Sequence, residues 1–274
     1  MKRLSPSLIL AAALAGAPCV VEAQTITQWN FNSTVPDATV ATGSTTPSTG
    51  AGSLTLVGGT TSTFSSGSPG DPANTGTDNT GLQTTAYPAQ GTGTGTAGVQ
   101  FAVNTLGFTG PLQISLDFRQ SGTTSRYFQL QLSTNGTTFT NASGGTGAVA
   151  NPNPGTTATN TLTNFDNSGL YINNTSGTQN FVDGISYTLP ANSVYANNAN
   201  FAFRWVAVYD VSGTAPNQYI GSNAGTAAAY STTGTARFDD VTVGIVPEPP
   251  TYALVGAAGV GLLALARHRR AARA

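Results

Sequence analysis

Two adjacent aspartates, Asp239 and Asp240, are the residues of this chain best suited to chemistry. They stand beside the last apolar segment of the central region, and carboxylates are among the hard oxygen ligands that Ca²⁺ binds. Asp239 and Asp240 are therefore the candidate ligands for a hard cation such as Ca²⁺. The alternative is a pair at the entry of a strand that faces solvent or pairs with Arg237 or Arg204.

A second oxygen-rich stretch runs from Asp71 to Asn79 and contains Asp78 and a glycine suited to a tight turn. It departs from the EF-hand pattern because no acid stands at the twelfth position of the loop. We therefore expect an ordinary loop here.

The region between Gln24 and Val246 contains no histidine, cysteine, lysine or glutamate. A Ser-His-Asp or Cys-His arrangement therefore has no imidazole base, and an ordinary zinc site has no soft or imidazole ligand. Paired aspartates could still hydrolyse a glycosidic bond. We expect a protein that is not an enzyme, with an Asp-based glycosidase or lyase as the enzymatic alternative.

The same region carries nine aspartates and four arginines, so that its formal charge is −5. Binding to nucleic-acid phosphates requires clustered lysine or arginine, so we expect no nucleic-acid partner. For Arg119, Arg126 and Arg204 we expect structural pairing with Asp117 or Asp210, since a buried arginine needs a carboxylate partner. The alternative is a planar, bidentate contact with the carboxylate of a uronate.

Aromatic rings could bind sugars, because their faces stack on the apolar faces of pyranose rings. Each is more typical of core packing, and the sequence does not separate the two roles. The candidates are Trp29, Tyr127, Trp205, Tyr209, Tyr219 and Tyr230.

Alternating apolar residues predict an all-β body. In the segment Leu112–Phe118 every second residue is apolar, which puts Gln113, Ser115 and Asp117 on the opposite face of a sheet. No helical period occurs in the body, and Thr39–Thr96 and Asn141–Asn160 contain flexible, loop-rich stretches. The predicted strands are Ile26–Phe31, Leu54–Val57, Val99–Val103, Leu112–Phe118, Tyr127–Leu132, Phe181–Leu189, Phe201–Tyr209 and Phe238–Ile245.

Asn135-Gly136 lies between two alternating segments and predicts a two-residue hairpin turn. The surrounding Ser133–Phe139 is similar to the Asp-box turn of sialidases, but it is one residue short and has asparagine in place of aspartate. A sialidase would also need a glutamate, which the body lacks.

The N-terminal residues indicate a secretory signal peptide. Met1-Lys2-Arg3 is basic, Leu8–Val21 is almost wholly apolar or small, and Val21-Glu22-Ala23 fits a cleavage site before Gln24. A lipoprotein signal built on Cys19 is the alternative, although Pro18 does not fit its peptidase.

The C-terminal residues indicate a marginal membrane anchor. The apolar stretch Thr251–Ala266 would span about 24 Å as a helix, less than a hydrocarbon core of about 30 Å. An arginine cluster beyond it would hold that end in the cytoplasm. An amphipathic or frayed helix is the alternative.

Pro247-Glu248-Pro249, the apolar stretch and the cluster with Arg267, Arg269 and Arg270 together resemble the PEP-CTERM sorting signal. That resemblance implies an exosortase and the secretion machinery as partners, and transient retention in the inner membrane of a Gram-negative bacterium. It further implies release to the cell surface or extracellular matrix, in a cell that makes biofilm or exopolysaccharide.

The body resembles secreted bacterial jelly-roll domains in the segments Trp29–Asn32, Ala97–Val103, Ser125–Gly136, Asn200–Trp205 and Ala236–Val243. The resemblance implies a β-sandwich whose first and last strands are neighbours. It also implies a structural calcium held by Asp239 or Asp240 together with the Trp29–Asp37 region.

The expected organisation is a signal peptide at 1–23, a jelly-roll-like β-sandwich at 24–245 and a sorting signal with a transmembrane helix at 246–274. The expected function is that of a non-enzymatic exported surface or matrix protein, associated with extracellular polysaccharide. A carbohydrate-binding module with a defined sugar site is the first alternative. Apart from the candidate calcium, no cofactor is expected.

Overall fold

The computed structural model describes residues 23–72, 78–152, 164–173 and 180–246. The predicted signal peptide, apart from its last residue, and the predicted transmembrane helix with its sorting motif lie outside these residues. Within the described part no helix is both long and apolar enough to cross a membrane. A single 3-10 turn, Ala227–Ala229, is the one helical element there.

Gln24–Val246 form one compact unit, and it is built from strands. The fourteen strands are β1 Gln24–Trp29, β2 Gly52–Val57, β3 Thr61–Ser66, β4 Thr80–Thr85, β5 Gly98–Val103, β6 Leu112–Gln120, β7 Tyr127–Ser133, β8 Thr140–Asn141, β9 Thr146–Pro152, β10 Asn164–Phe165, β11 Leu170–Ile172, β12 Val182–Leu189, β13 Phe201–Val208 and β14 Ala236–Ile245.

The strands form two antiparallel sheets of seven strands each. The first, which we call the β14 sheet, has the order β3-β4-β14-β6-β12-β9, and β1 also pairs with β14. The second, the β13 sheet, has the order β10-β11-β7-β13-β5-β2, and β8 also pairs with β7. The predicted all-β sandwich is thereby confirmed, as is the predicted neighbourhood of the first and last strands.

The core between the sheets is rich in aromatic side chains. Phe118 of β6 packs against Phe128 of β7 and Trp205 of β13, with ring centroids 4.9 and 5.5 Å apart. These contacts join the two sheets, and both Phe118 and Trp205 are almost completely buried. Burial of large aromatic surfaces is the main stabilising term in such a core.

All eight predicted strands are present, with boundaries that differ by at most two residues. The expectation of flexible, loop-rich sequence was incomplete, because β3 and β4 lie within Thr39–Thr96 and β9 lies within Asn141–Asn160. Their Thr-, Ser- and Gly-rich sequences carry little apolar alternation. Strand pairing positions them instead, because β4 pairs with β14, β3 pairs with β4, and β9 pairs with β12.

The predicted hairpin after β7 exists, but its two-residue turn was wrong. β7 pairs with β8 at Leu132 and Thr140, which leaves a longer loop between them. Gly136 has a positive φ of 72°. Asn135 instead uses its side-chain oxygen, which accepts hydrogen bonds from the amides of Thr137 and Thr138 at 3.0 and 2.8 Å.

Candidate functional site

The outer face of the β14 sheet carries aspartates on three neighbouring strands. Asp117 of β6 lies directly opposite Asp239 of β14 in the ladder. On the other side of β6, the amide of Gly184 in β12 donates a hydrogen bond of 2.8 Å to Asp117 Oδ1, and Asp183 precedes it. Like charges opposite each other on antiparallel strands are destabilising, so this row requires a compensating partner.

Two irregularities in the ladder create this arrangement. The register shifts between Asp239 and Thr242 on β14, where Asp240 has a positive φ of 46°. It shifts again between Val182 and Ile185 on β12, where Gly184 has a φ of 66°. A β-bulge bends its strand and redirects side chains. Here both bulges lie at the same level of the sheet and bring acidic groups towards Asp117.

The residues that follow β3, at positions 67–72, cover this row of aspartates. The amide of Ser68 donates to Asp239 Oδ2 at 2.6 Å, and its hydroxyl donates to Asp183 Oδ1 at 2.8 Å. Asp71, three residues further along, is also buried. Its carboxylate adds to the negative charge that acts on Asp239 and Asp240.

The end of β1 and the residues after it form another wall. Gln28 Nε2 donates to Asp240 Oδ1 at 2.9 Å, and Asn32 Nδ2 donates to Asp71 Oδ2 at 2.8 Å. The contact of Asp240 is with Gln28, one residue before the predicted Trp29–Asp37 region, and Asn32 of that region contacts Asp71. We call the group Asp71, Asp117, Asp183, Asp239 and Asp240 the acid cluster.

Burial and mutual repulsion raise the pKa values within the acid cluster. Burial raises the pKa of Asp240 to about 7, with further contributions from Asp71, Asp117 and Asp183. For Asp117 burial raises the pKa to about 6, and for fully buried Asp239 it raises the pKa well above its usual range. Hydrogen bonds from Ser68 and Gly184 offset only part of this effect.

The donor atoms of the cluster suit a hard cation. Asp183 Oδ2 and Asn79 Oδ1 are buried without a hydrogen-bond partner in the structure, and a lone buried oxygen is costly unless a ligand occupies it. A Cβ on Gly67 would overlap both Asn79 Oδ1 and Asp239 Oδ2, so the main chain passes close to both. Ca²⁺ takes about six to eight oxygen ligands of these carboxylate, amide and main-chain types.

The acidic side chains are not pre-arranged as a finished metal shell. Across the described ranges, no group of three or more acidic, histidine or cysteine side chains is placed to hold a metal ion by itself. Amide and main-chain oxygens would have to complete the shell, and Asn79 Oδ1 is the clearest of them. A bound Ca²⁺ would also draw carboxylates closer together by neutralising their repulsion.

Arg237 and Arg204 are held by other groups, and not by the pairing with Asp239 or Asp240 that the sequence suggested. Arg237 Nε donates to Gln83 Oε1 at 2.8 Å and its Nη1 donates to Ser66 Oγ at 2.8 Å. Arg204 Nε donates to Gln100 Oε1 at 2.9 Å, and its guanidinium lies 3.7 Å from the centre of the Phe139 ring. Arg126 donates to the carbonyl of Ser222.

Three members of the acid cluster were missed by sequence reasoning. The failed EF-hand pattern predicts an ordinary loop at Asp71, although the oxygen-rich composition of that stretch was a signal for a site. Asp117 was placed on the outer face of its strand and Asp183 lay inside a predicted strand, but the register that unites them was not readable from the sequence.

The candidate aromatic residues are largely committed to internal packing. Trp29, Tyr127, Trp205 and Tyr219 are buried. Tyr209 and Tyr230 are half-buried and pack against Tyr219, with ring centroids 4.8 and 4.7 Å away. Their faces are therefore used inside the protein.

The chain matches no protein-family model, and no curated protein matches it either. The predicted sorting residues Pro247, Glu248, Pro249, Arg267, Arg269 and Arg270 lie outside the described part.

Proposed function

We propose that this chain is a non-enzymatic exported protein whose jelly-roll-like sandwich is stabilised by calcium and serves in or on an extracellular polysaccharide layer. The termini support export, through a signal peptide at one end and a PEP-CTERM-like signal at the other. Pairing of β1 with β14 supports the jelly-roll resemblance, since those domains keep their first and last strands together.

The observation that carries the proposal is the acid cluster on β6, β12 and β14 and after β3, whose repulsion the hydrogen bonds offset only in part. Asp239 is fully buried and Asp117 nearly so, so their oxygens face other protein groups and not a substrate. Charges in such a position are tolerated when a cation or a proton neutralises them. Asp239, Asp183 and Asn79 would hold the calcium, which would supply that charge and tie together β14, β12 and the residue that precedes β4.

The geometry gives less support to an Asp-based glycosidase. Glycosidases place their two carboxyl groups on either side of an open sugar site, about 5 to 10 Å apart. The depression nearest to the acid cluster is lined by residues such as Arg119, Arg237 and Phe181, and no carboxylate is among its described lining residues.

Sorting is tested by replacing Pro247, Glu248 and Pro249 together with alanine. We expect full-length protein to accumulate in the inner membrane, because an exosortase would no longer recognise the signal. Cell fractionation followed by mass determination of the mature chain measures the outcome. Deletion of residues 251–274 is the control, and it should send the body to the periplasm. Unchanged release of the triple variant would refute the exosortase route.

A further inference from the structure

A shallow depression of about 370 Å³ lies beside the acid cluster on the β14 sheet. Ser66, Pro69, Arg119, Asn180, Phe181 and Arg237 line it. Its volume is at the lower end of the range for small-molecule sites. We call it the arginine depression, because two of the four arginines between Gln24 and Val246 meet there.

The two arginines are directly opposite each other in the ladder. Arg237 of β14 pairs with Arg119 of β6, and like charges in that position repel. Burial, followed by the charge of Arg119, lowers the pKa of Arg237 to about 10. Two half-buried cations on paired positions of neighbouring strands indicate a place where negative charge would be stabilised.

The guanidinium of Arg237 is fixed by neutral groups. Its Nε and Nη1 donate to Gln83 Oε1 and to Ser66, both at 2.8 Å. These bonds orient the planar group, and neither of them involves Nη2. An oriented guanidinium is the group that binds a carboxylate most specifically, because its parallel N–H donors match the two carboxylate oxygens.

The surroundings favour a single carboxylate over a densely charged anion. The acid cluster begins two residues away on each strand, at Asp117 on β6 and Asp239 on β14, and it repels additional negative charge. Ser66 and Asn180 add neutral hydrogen-bonding groups of the kind that sugar hydroxyls need. A sugar that carries one carboxylate per ring fits both conditions.

We propose that the arginine depression binds the carboxylate of a uronic acid residue in an acidic polysaccharide. The inference rests on the proposed function in one respect, since that function places the protein within extracellular polysaccharide. It assigns to Arg119 and Arg237 the binding of the carboxylate, and to Ser66 and Asn180 contacts with the neighbouring hydroxyls.

The test measures binding of short oligogalacturonates to the purified full chain by isothermal titration calorimetry, with calcium held constant. The matched probe is the methyl-esterified oligomer, which keeps the sugar but loses the charge. We expect the acid form to bind and the ester to bind at least about tenfold more weakly, as for other hydrogen bonds to charged groups. Equal binding of the two forms, or tighter binding of a sulfated oligosaccharide, would overturn the assignment.

The variants Arg119→Gln and Arg237→Gln should each weaken binding by about tenfold or more. Arg237→Lys keeps the charge but loses the planar fork, and it should fall between the wild type and Arg237→Gln. Arg204→Gln is the matched control, because Arg204 is a half-buried strand arginine of the other sheet, and it should bind as the wild type does. Undiminished binding by all depression variants contradicts the proposal.

Failure of this inference is separable from failure of the proposed function. A chain that is stabilised by calcium and sorted as expected, but does not distinguish oligogalacturonate from its ester, refutes only the uronate site. A chain that is neither sorted nor stabilised by calcium, yet binds oligogalacturonate through Arg119 and Arg237, refutes the proposed function. The assignment of carboxylate binding to the arginine depression then still stands.

Discussion

The two sheets share one core but differ on their outer faces. The β14 sheet has register shifts on β1, β12 and β14, and the last two lie beside aspartates. In the β13 sheet the pairings of β13 with β5 and β7 run without interruption. Charged groups of the same sign are neighbours on the bulged sheet, whereas Arg204 on the regular sheet contacts an amide and an aromatic ring.

The aspartates show the same contrast. Asp240, in the bulge of β14, has its pKa raised to about 7 by burial and by neighbouring carboxylates. Asp210, which follows β13, is also subject to burial, but hydrogen bonds from Ser212 and Ala215 outweigh it and lower the pKa. A carboxylate whose hydrogen bonds are complete is structural. A carboxylate that lies close to other carboxylates favours the binding of a cation. β-Bulges are commonly found beside such sites.

The largest expected effect is a loss of stability from a change in the core, which the two sheets share. Replacing Trp205 with alanine removes a buried ring that contacts Phe118 and Tyr171, and we expect it to lower the free energy of unfolding by about 3 to 5 kcal/mol. Because the core is common to both sheets, the loss should be the same with and without calcium. Chemical denaturation in both conditions measures it, with Trp205→Phe as a milder control. A loss confined to the calcium-free protein would mean that the sheets are not one cooperative unit.

Calcium should act only through the bulged sheet. At a calcium concentration about a hundred times its Kd, we expect about 2.7 kcal/mol of added stability, which a chelator removes. Asp239→Asn should abolish most of that increment, yet stabilise the calcium-free protein by removing one buried charge.

The matched control for Asp239→Asn is Asp166→Asn. Asp166 lies in the turn between β10 and β11, where its Oδ1 accepts from the amides of Ser168 and Leu170. The Asp166→Asn variant should leave the stability added by calcium unchanged. Thermal unfolding of both variants with calcium and with chelator decides the matter, and identical calcium responses in the two would contradict a site in the acid cluster.

The smallest effect is the pH dependence of the calcium-free protein. The pKa values of Asp117 and Asp240 are raised in the folded state to about 6 and about 7, above their ordinary value of 3.8. The folded protein therefore binds more protons than the unfolded chain, and the resulting stability is present at low pH and lost as the pH rises through about 6 to 7. We expect the calcium-free protein to melt a few degrees higher near pH 5 than near pH 8.

Calcium should weaken or reverse that trend, because it binds the ionised carboxylates. Melting curves at the two pH values, with calcium and with chelator, provide the comparison. A calcium-free protein that becomes less stable on acidification from about pH 8 to about pH 5 would be inconsistent with the raised pKa values.

Local sequence predicted the strands that face the core. Leu112, Ile114, Leu116 and Phe118 alternate and are buried, as the period of two requires. It failed for β3 and β4, whose polar residues receive their strand conformation from pairing: β4 pairs with the long β14, and β3 pairs with β4. It also placed Asp117 correctly on the outer face but did not indicate that Asp117 is buried, because the covering segment around Ser68 is distant in the chain.

The sequence by itself determined which chemistry the body lacks, since no imidazole, thiol, lysine or glutamate exists between Gln24 and Val246. It also determined the alternation that makes the chain all-β. Only the tertiary structure decided that Asp71, Asp117, Asp183, Asp239 and Asp240 meet, and that Arg119 faces Arg237. The physical reason is register: a shift of one residue in a strand exchanges its two faces, and the bulges that set the shift depend on pairing between strands far apart in the chain.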